Sequence, residues 1–122
     1  MSPAGAEAAD VVAQASRTAE WLSSVPLARL AADDARLAEG AYDLVREFDR
    51  LTRTVCGTTG GEPGAECPPP DVVPPRLAPH AAGVQVRVFA DQFARAVELH
   101  GVAPIDPADL RELAARCLAL RT

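Results

Sequence analysis

The chain has 122 residues, a fifth of them alanine and only 4% aromatic, enough for one domain with its own core and a composition that points to helices built on Leu, Val and Ala. All twelve basic residues are arginine, so no lysine is present to hold a Schiff-base cofactor, to bind phosphate in a Walker-type loop or to serve a kinase-type strand. The net charge is −5, and residues 1–26, 27–55, 56–80 and 81–122 carry −2, −1, −2 and 0; with no basic segment to release phosphate counterions, nucleic acid is not an expected partner.

The opening "MSPAGAEAADVV" has no basic leader followed by an apolar run, and nowhere do eighteen apolar residues follow one another, so a cytoplasmic protein without a membrane span is expected. Ser2 and Pro3 read as a cap and first helical position, starting a helix over about 3–23. Its stripe, Ala8, Val11, Val12, Ala15, Ala19 and Leu22, is thin in large side chains and should pack closely.

The second helix is expected over 26–55. Leu27, Leu30, Asp34, Leu37, Ala41, Leu44, Phe48, Leu51 and Val55 alternate in steps of three and four, placing Leu30, Leu37, Leu44 and Leu51 seven apart as in a zipper. The adjacent heptad positions Ala31, Ala38, Val45 and Thr52 carry no charge, so the apolar stripe is wide and favours a bundle helix over an extended zipper. Gly57 ends this helix, and seven of the eleven prolines fall between Pro63 and Pro79, which makes 57–78 a linker.

The stretch "GVQVRVF" alternates like a strand, but no partner strand exists to satisfy its backbone. It reads instead as the start of a third helix over 79–100, with Val86, Phe89, Phe93, Ala96, Val97 and His100 on one face and Gly101 at its end. The last helix, 106–121, starts with Asp106 as N-cap, Pro107 at the first position, Asp109 near the positive end of the dipole and an Ile105–Leu110 staple. Its buried face should be Leu110, Leu113, Ala114, Cys117 and Leu118.

The fold class expected is therefore an all-α four-helix bundle, two helical hairpins joined by a long Gly/Pro-rich linker. Chemistry is sparse along it. Cys56 and Cys67 enclose ten residues, a spacing that permits a loop-closing disulfide but matches no zinc knuckle; in a reducing compartment free thiols are the first expectation, and no metal is expected. "GTTGGEPG" lacks the preceding strand, following helix and lysine of a phosphate cradle and reads as a flexible loop.

Asp34 sits on the apolar seam, where a carboxylate must pair, meet water or carry a raised pKa. His100 stands in a last helical turn, where an imidazole favours free carbonyls and the dipole. Together they are a candidate small-molecule pocket. Cys117 reads as a small core residue, and Ser16, Ser23 and Ser24 lack a nucleophile elbow. No catalytic residue and no cofactor are expected.

Trp21 and Tyr42 are the only residues of their types, and rings off a core stripe are enriched on binding surfaces. The expected function is a non-enzymatic protein–protein interaction module, an adaptor or assembly subunit presenting Trp21, Leu30, Leu37, Tyr42, Leu44 and Leu51 to a protein partner or to a second copy of itself. The alternatives are the Asp34–His100 pocket and a thiol- or metal-responsive switch through Cys56 and Cys67.

Overall fold

Local chemistry sets the helix ends. In a computed structural model of the chain, which describes residues 3–26, 28–29, 36–57 and 73–121, α1 spans Pro3–Ser24, α2 Arg36–Gly57, α3 Ala82–His100 and α4 Pro107–Arg121. Pro26 follows the end of α1, and Ala28 and Arg29 are helical. A single 3₁₀ turn, Pro79–Ala81, leads into α3, so "GVQVRVF" is helical as its lack of a partner strand requires. Gly101, with φ 82°, donates its N–H to the Val97 carbonyl at 2.8 Å and closes α3. The Asp106 carboxylate accepts from the Ala108 N–H at 2.9 Å, capping α4. Ser2, Leu27, Leu30, Ala31, Asp34, Cys67 and the stretch 58–72 lie outside the described residues.

The all-α four-helix bundle is present, and its two halves interlock. Among the described residues α1 packs along both α3 and α4, α2 packs along α3, and α2 touches α4 far more sparsely. Helices consecutive in sequence, α1 with α2 and α3 with α4, barely meet. Each half therefore completes its core on the other half and not within its own hairpin. The small stripe of α1 explains part of this, since it lets α3 approach until Gly83 lies against the backbone of Ala19 and Ser23.

Helices α2 and α3 run the same way: Ala41 and Ala82 line one small cavity near both N-terminal ends, and Phe48 meets Phe93 further along both, ring centroids 5.7 Å apart. At about 1.5 Å per residue α2 is roughly 33 Å long. Gly57 stands at its C-terminal end, while Pro74 is tied to Tyr42 in its N-terminal half.

The core joins Ala8, Val11, Ala15, Ala19 and Leu22 of α1 to Leu37, Ala41, Leu44, Val45, Phe48, Leu51 and Val55 of α2, with Val86, Phe93 and Ala96 of α3 and Leu110, Leu113 and Cys117 of α4. On α4 the fifth core position is Leu120, while Leu118 is 48% exposed. The three-residue step from Cys117 to Leu120 keeps the inward face, whereas Leu118 is rotated about 100° off it. Thr18 is buried as well, its hydroxyl donating to the Cys117 carbonyl at 2.8 Å and tying α1 to α4.

A groove between the second and fourth helices

Among the described residues the sparse α2–α4 seam is the open side of the bundle. The two helices are antiparallel there: Gly40 meets Leu120, Glu47 feels the charge of Arg116 and Arg50 that of Asp109. Two adjoining recesses run along the seam. One, of about 270 Å³, is lined by Arg36, Gly40, Asp43, Leu44, Arg116, Ala119 and Leu120. The other, of about 510 Å³, shares Asp43 and Arg116 and continues along α2 past Arg46, Glu47, Asp49, Arg50 and Arg53 to Val73 and Pro74.

Arg46, Arg50 and Arg53 share this face because residues three, four and seven apart align on a helix. Two of them are engaged within α2. Arg50 is hydrogen-bonded to both carboxylate oxygens of Glu47, and that bond, helped by the nearby charges of Arg50 and Arg116, holds Glu47 below the usual carboxylate range. Arg53 donates to Asp49 Oδ2 at 2.9 Å. Arg46 and Arg116 are exposed and make no hydrogen bond or ion pair among the described residues. The smaller recess thus has an apolar floor of Gly40, Leu44, Ala119 and Leu120, the larger one is lined mainly by charged side chains, and Arg46 and Arg116 stand on the rim.

Val73 and Pro74 form one wall of the larger recess, and the segment 73–78 that they begin is strapped onto α2 and α3. Tyr42 Oη donates to the Pro74 carbonyl at 2.7 Å, and Gln85 Nε2 donates to the Pro75 carbonyl at 2.6 Å. Arg76 stacks over the Tyr42 ring, 4.8 Å from its centroid, and pairs with Glu39; the hydrogen bond from Arg76 holds the Glu39 carboxyl below its ordinary range. Beneath this strap a cavity of about 30 Å³ holds no more than a water-sized volume.

The residues expected on an interaction face are distributed differently. Leu37, Leu44 and Leu51 are 0–2% exposed, so the seam is closed from within by the chain's own helices and is not a free face for a partner or a second copy. Leu44 alone reaches a recess, at the groove floor. Tyr42 is spent on the strap. Trp21 packs half-buried against the core with the Arg29 guanidinium 5.7 Å from its ring centroid. Leu30 is outside the described residues.

His100 is exposed at the end of α3 and lines neither recess of the groove nor the cavity under the strap, while its expected companion Asp34 is outside the described residues. Among the described residues no three His, Cys, Asp or Glu side chains converge on a metal position, and no helix is long and apolar enough to cross a membrane.

Cys56, in the last turns of α2, is disulfide-bonded. This departs from the free thiol expected first, and Cys67, the possible partner, lies outside the described residues. Cys117 is a free thiol with no solvent exposure, and burial pushes it up from 9.0 to about 11, against a smaller lowering by Arg121 and Arg116.

A thiol pKa raised in the folded state stabilises below the unfolded value and is lost as pH climbs through the folded one. The span from 9.0 to about 11 corresponds to about 3 kcal/mol at most. Urea unfolding of wild type should therefore lose about 2 kcal/mol more between pH 8 and 10.5 than unfolding of Cys117→Ala. Equal losses would show that Cys117 does not titrate with unfolding.

The groove face could not be assembled from the sequence, because its rim joins arginines about seventy residues apart whose proximity exists only through the antiparallel α2–α4 seam. The three-and-four spacing of Arg46, Arg50 and Arg53 was the available signal. Comparison with protein families, with characterised proteins and with solved structures finds no match.

Proposed function

We propose that the protein is a non-enzymatic interaction module that receives a segment of a partner protein in the α2–α4 groove. The observation that carries this reading is the thin seam itself: among the described residues three of the bundle's interfaces are closely packed, and the fourth is left as a groove along α2 and α4, apolar at the Leu44–Leu120 end, with Arg46 and Arg116 unpaired on its rim. Such a shape suits a helix or extended segment better than a compact metabolite. Of the groove's carboxylates, Glu47 and Asp49 are bound to arginines, and neither His80 nor His100 lines it. The buried, high-pKa Cys117 offers no nucleophile either.

The thiol-switch reading keeps one supporting observation, the disulfide at Cys56. In the cytoplasm proposed from the sequence such a bond would be a redox-responsive link and not a permanent staple.

Ala119 is exposed and lines the groove, so Ala119→Trp should obstruct it sterically without changing charge. Arg95, exposed on α3, provides the control substitution Arg95→Trp. In pull-downs from cells that make the protein, wild type and Arg95→Trp are expected to recover the same stoichiometric partner, and Ala119→Trp at least about tenfold less of it at an unchanged melting temperature. Undiminished recovery by Ala119→Trp would sink the groove as the docking site.

A further inference from the structure

We propose that the occupant of the α2–α4 groove is an acidic amphipathic helix of a partner protein, its carboxylates pairing with Arg46 and Arg116 while its apolar flank covers the groove floor. This rests on the reading of the groove as the docking site and adds the chemistry of what docks. Charge complementarity selects the occupant. Arg50 and Arg53 are taken by Glu47 and Asp49, which leaves Arg46 on the α2 wall to meet a helix laid alongside, whose carboxylates recur every three or four residues. Arg116 faces them from the other wall.

Arg46 and Arg116 have no hydrogen bond or ion pair among the described residues, so a carboxylate arriving there displaces no existing partner. Guanidinium forks bind carboxylates through two parallel hydrogen bonds, which fixes register as well as sign. The groove's own acids do not cancel this. Glu47 and Asp49 are already paired with Arg50 and Arg53, and Asp43, which lines both recesses, is one carboxylate against the two guanidinium groups of Arg46 and Arg116. The chain's overall charge of −5 acts weakly at contact, because charges beyond about 8 Å are screened at physiological salt. Val73, on the wall of the larger recess, is 72% exposed, an apolar surface that the partner's other flank would remove from water.

The test uses three fluorescein-labelled sixteen-residue helical peptides sharing one Leu/Ala flank and differing on the other, which carries Glu, Gln or Lys at every third or fourth position. In anisotropy titrations the Glu peptide is expected to bind at least about tenfold more tightly than the Gln peptide, the Lys peptide weakest, with the preference shrinking as salt rises. The double variant Arg46→Glu/Arg116→Glu should weaken the Glu peptide about tenfold or more and reverse the order, and Ala119→Trp should abolish binding of all three. Equal binding of the three peptides, lost in Ala119→Trp, would overturn the acidic partner while leaving the groove reading intact. No binding by any peptide, or binding indifferent to Ala119→Trp, would overturn both.

Discussion

Phe93→Ala is expected to remove about 3–5 kcal/mol of stability, the range for truncating a fully buried aromatic ring. The reason lies in composition. The chain has three phenylalanines, and two of them, Phe48 and Phe93, meet at 5.7 Å with planes tilted by 55°, both with no solvent exposure. The rest of the core is Ala, Val and Leu with Ile105 and Cys117, side chains that cannot collapse far enough to refill a ring-sized void, so the cavity cost adds to the lost transfer energy. A domain of this size has only about 5–15 kcal/mol in total, and the variant should unfold at much lower urea. Phe89→Ala, at a half-buried position, serves as the comparison and should cost less than half as much. A loss below about 1.5 kcal/mol for Phe93→Ala would mean the α2–α3 interface is not packed around this pair.

Gly83 sets the second expectation. A Cβ there would lie 2.7 Å from the Ala19 carbonyl oxygen and 3.0 Å from the Ser23 nitrogen. Both are backbone atoms of α1, which no rotamer change can move. Helix propensity alone favours alanine over glycine by about 1 kcal/mol, whereas forcing two helix backbones apart costs about 1–3 kcal/mol or more. The clash should win: Gly83→Ala is expected to destabilise by about 1–2 kcal/mol, and Gly83→Leu by more than about 3. Gly40 provides the contrast. Its added Cβ would meet Leu120 Cδ1 at 2.6 Å, the tip of a flexible side chain, so Gly40→Ala should fall within about 1 kcal/mol of wild type. Melting temperatures of the variants check the ranking, and a more stable Gly83→Ala would show that α1 and α3 are not held this closely.

Those two glycines also mark what the sequence could and could not convey. Helix ends are written locally, in Gly101 at the left-handed position and Asp106–Pro107 at a capped start, and each was readable within a few residues. The inward stripes were readable too, because periodicity selects Leu37, Leu44, Phe48 and Leu51 whatever helix covers them. Which helix does cover them is a tertiary fact. The short turns around Pro26 and Pro104 suggest that sequence neighbours pair, yet α1 buries its stripe on α3 and α4; nothing in its Ala and Val spacing names those partners. Tyr42 shows the same limit at one residue, since a ring off the heptad seam is equally suited to an external partner or to the Pro74 carbonyl 32 residues away.

The interlocked pairing of α1 and α2 with α3 and α4 also governs how the chain can fold. The contacts that organise the core join distant residues, as with the Thr18 hydroxyl and the Cys117 carbonyl, separated by 99 positions, or Phe48 and Phe93. Helical bundles usually fold fast because their contacts are local. Here an early α1–α2 pair would bury little, so the entropy of closing a long loop precedes most of the reward. The two halves, which among the described residues share one core and hold little of it separately, must meet before most of the burial is gained.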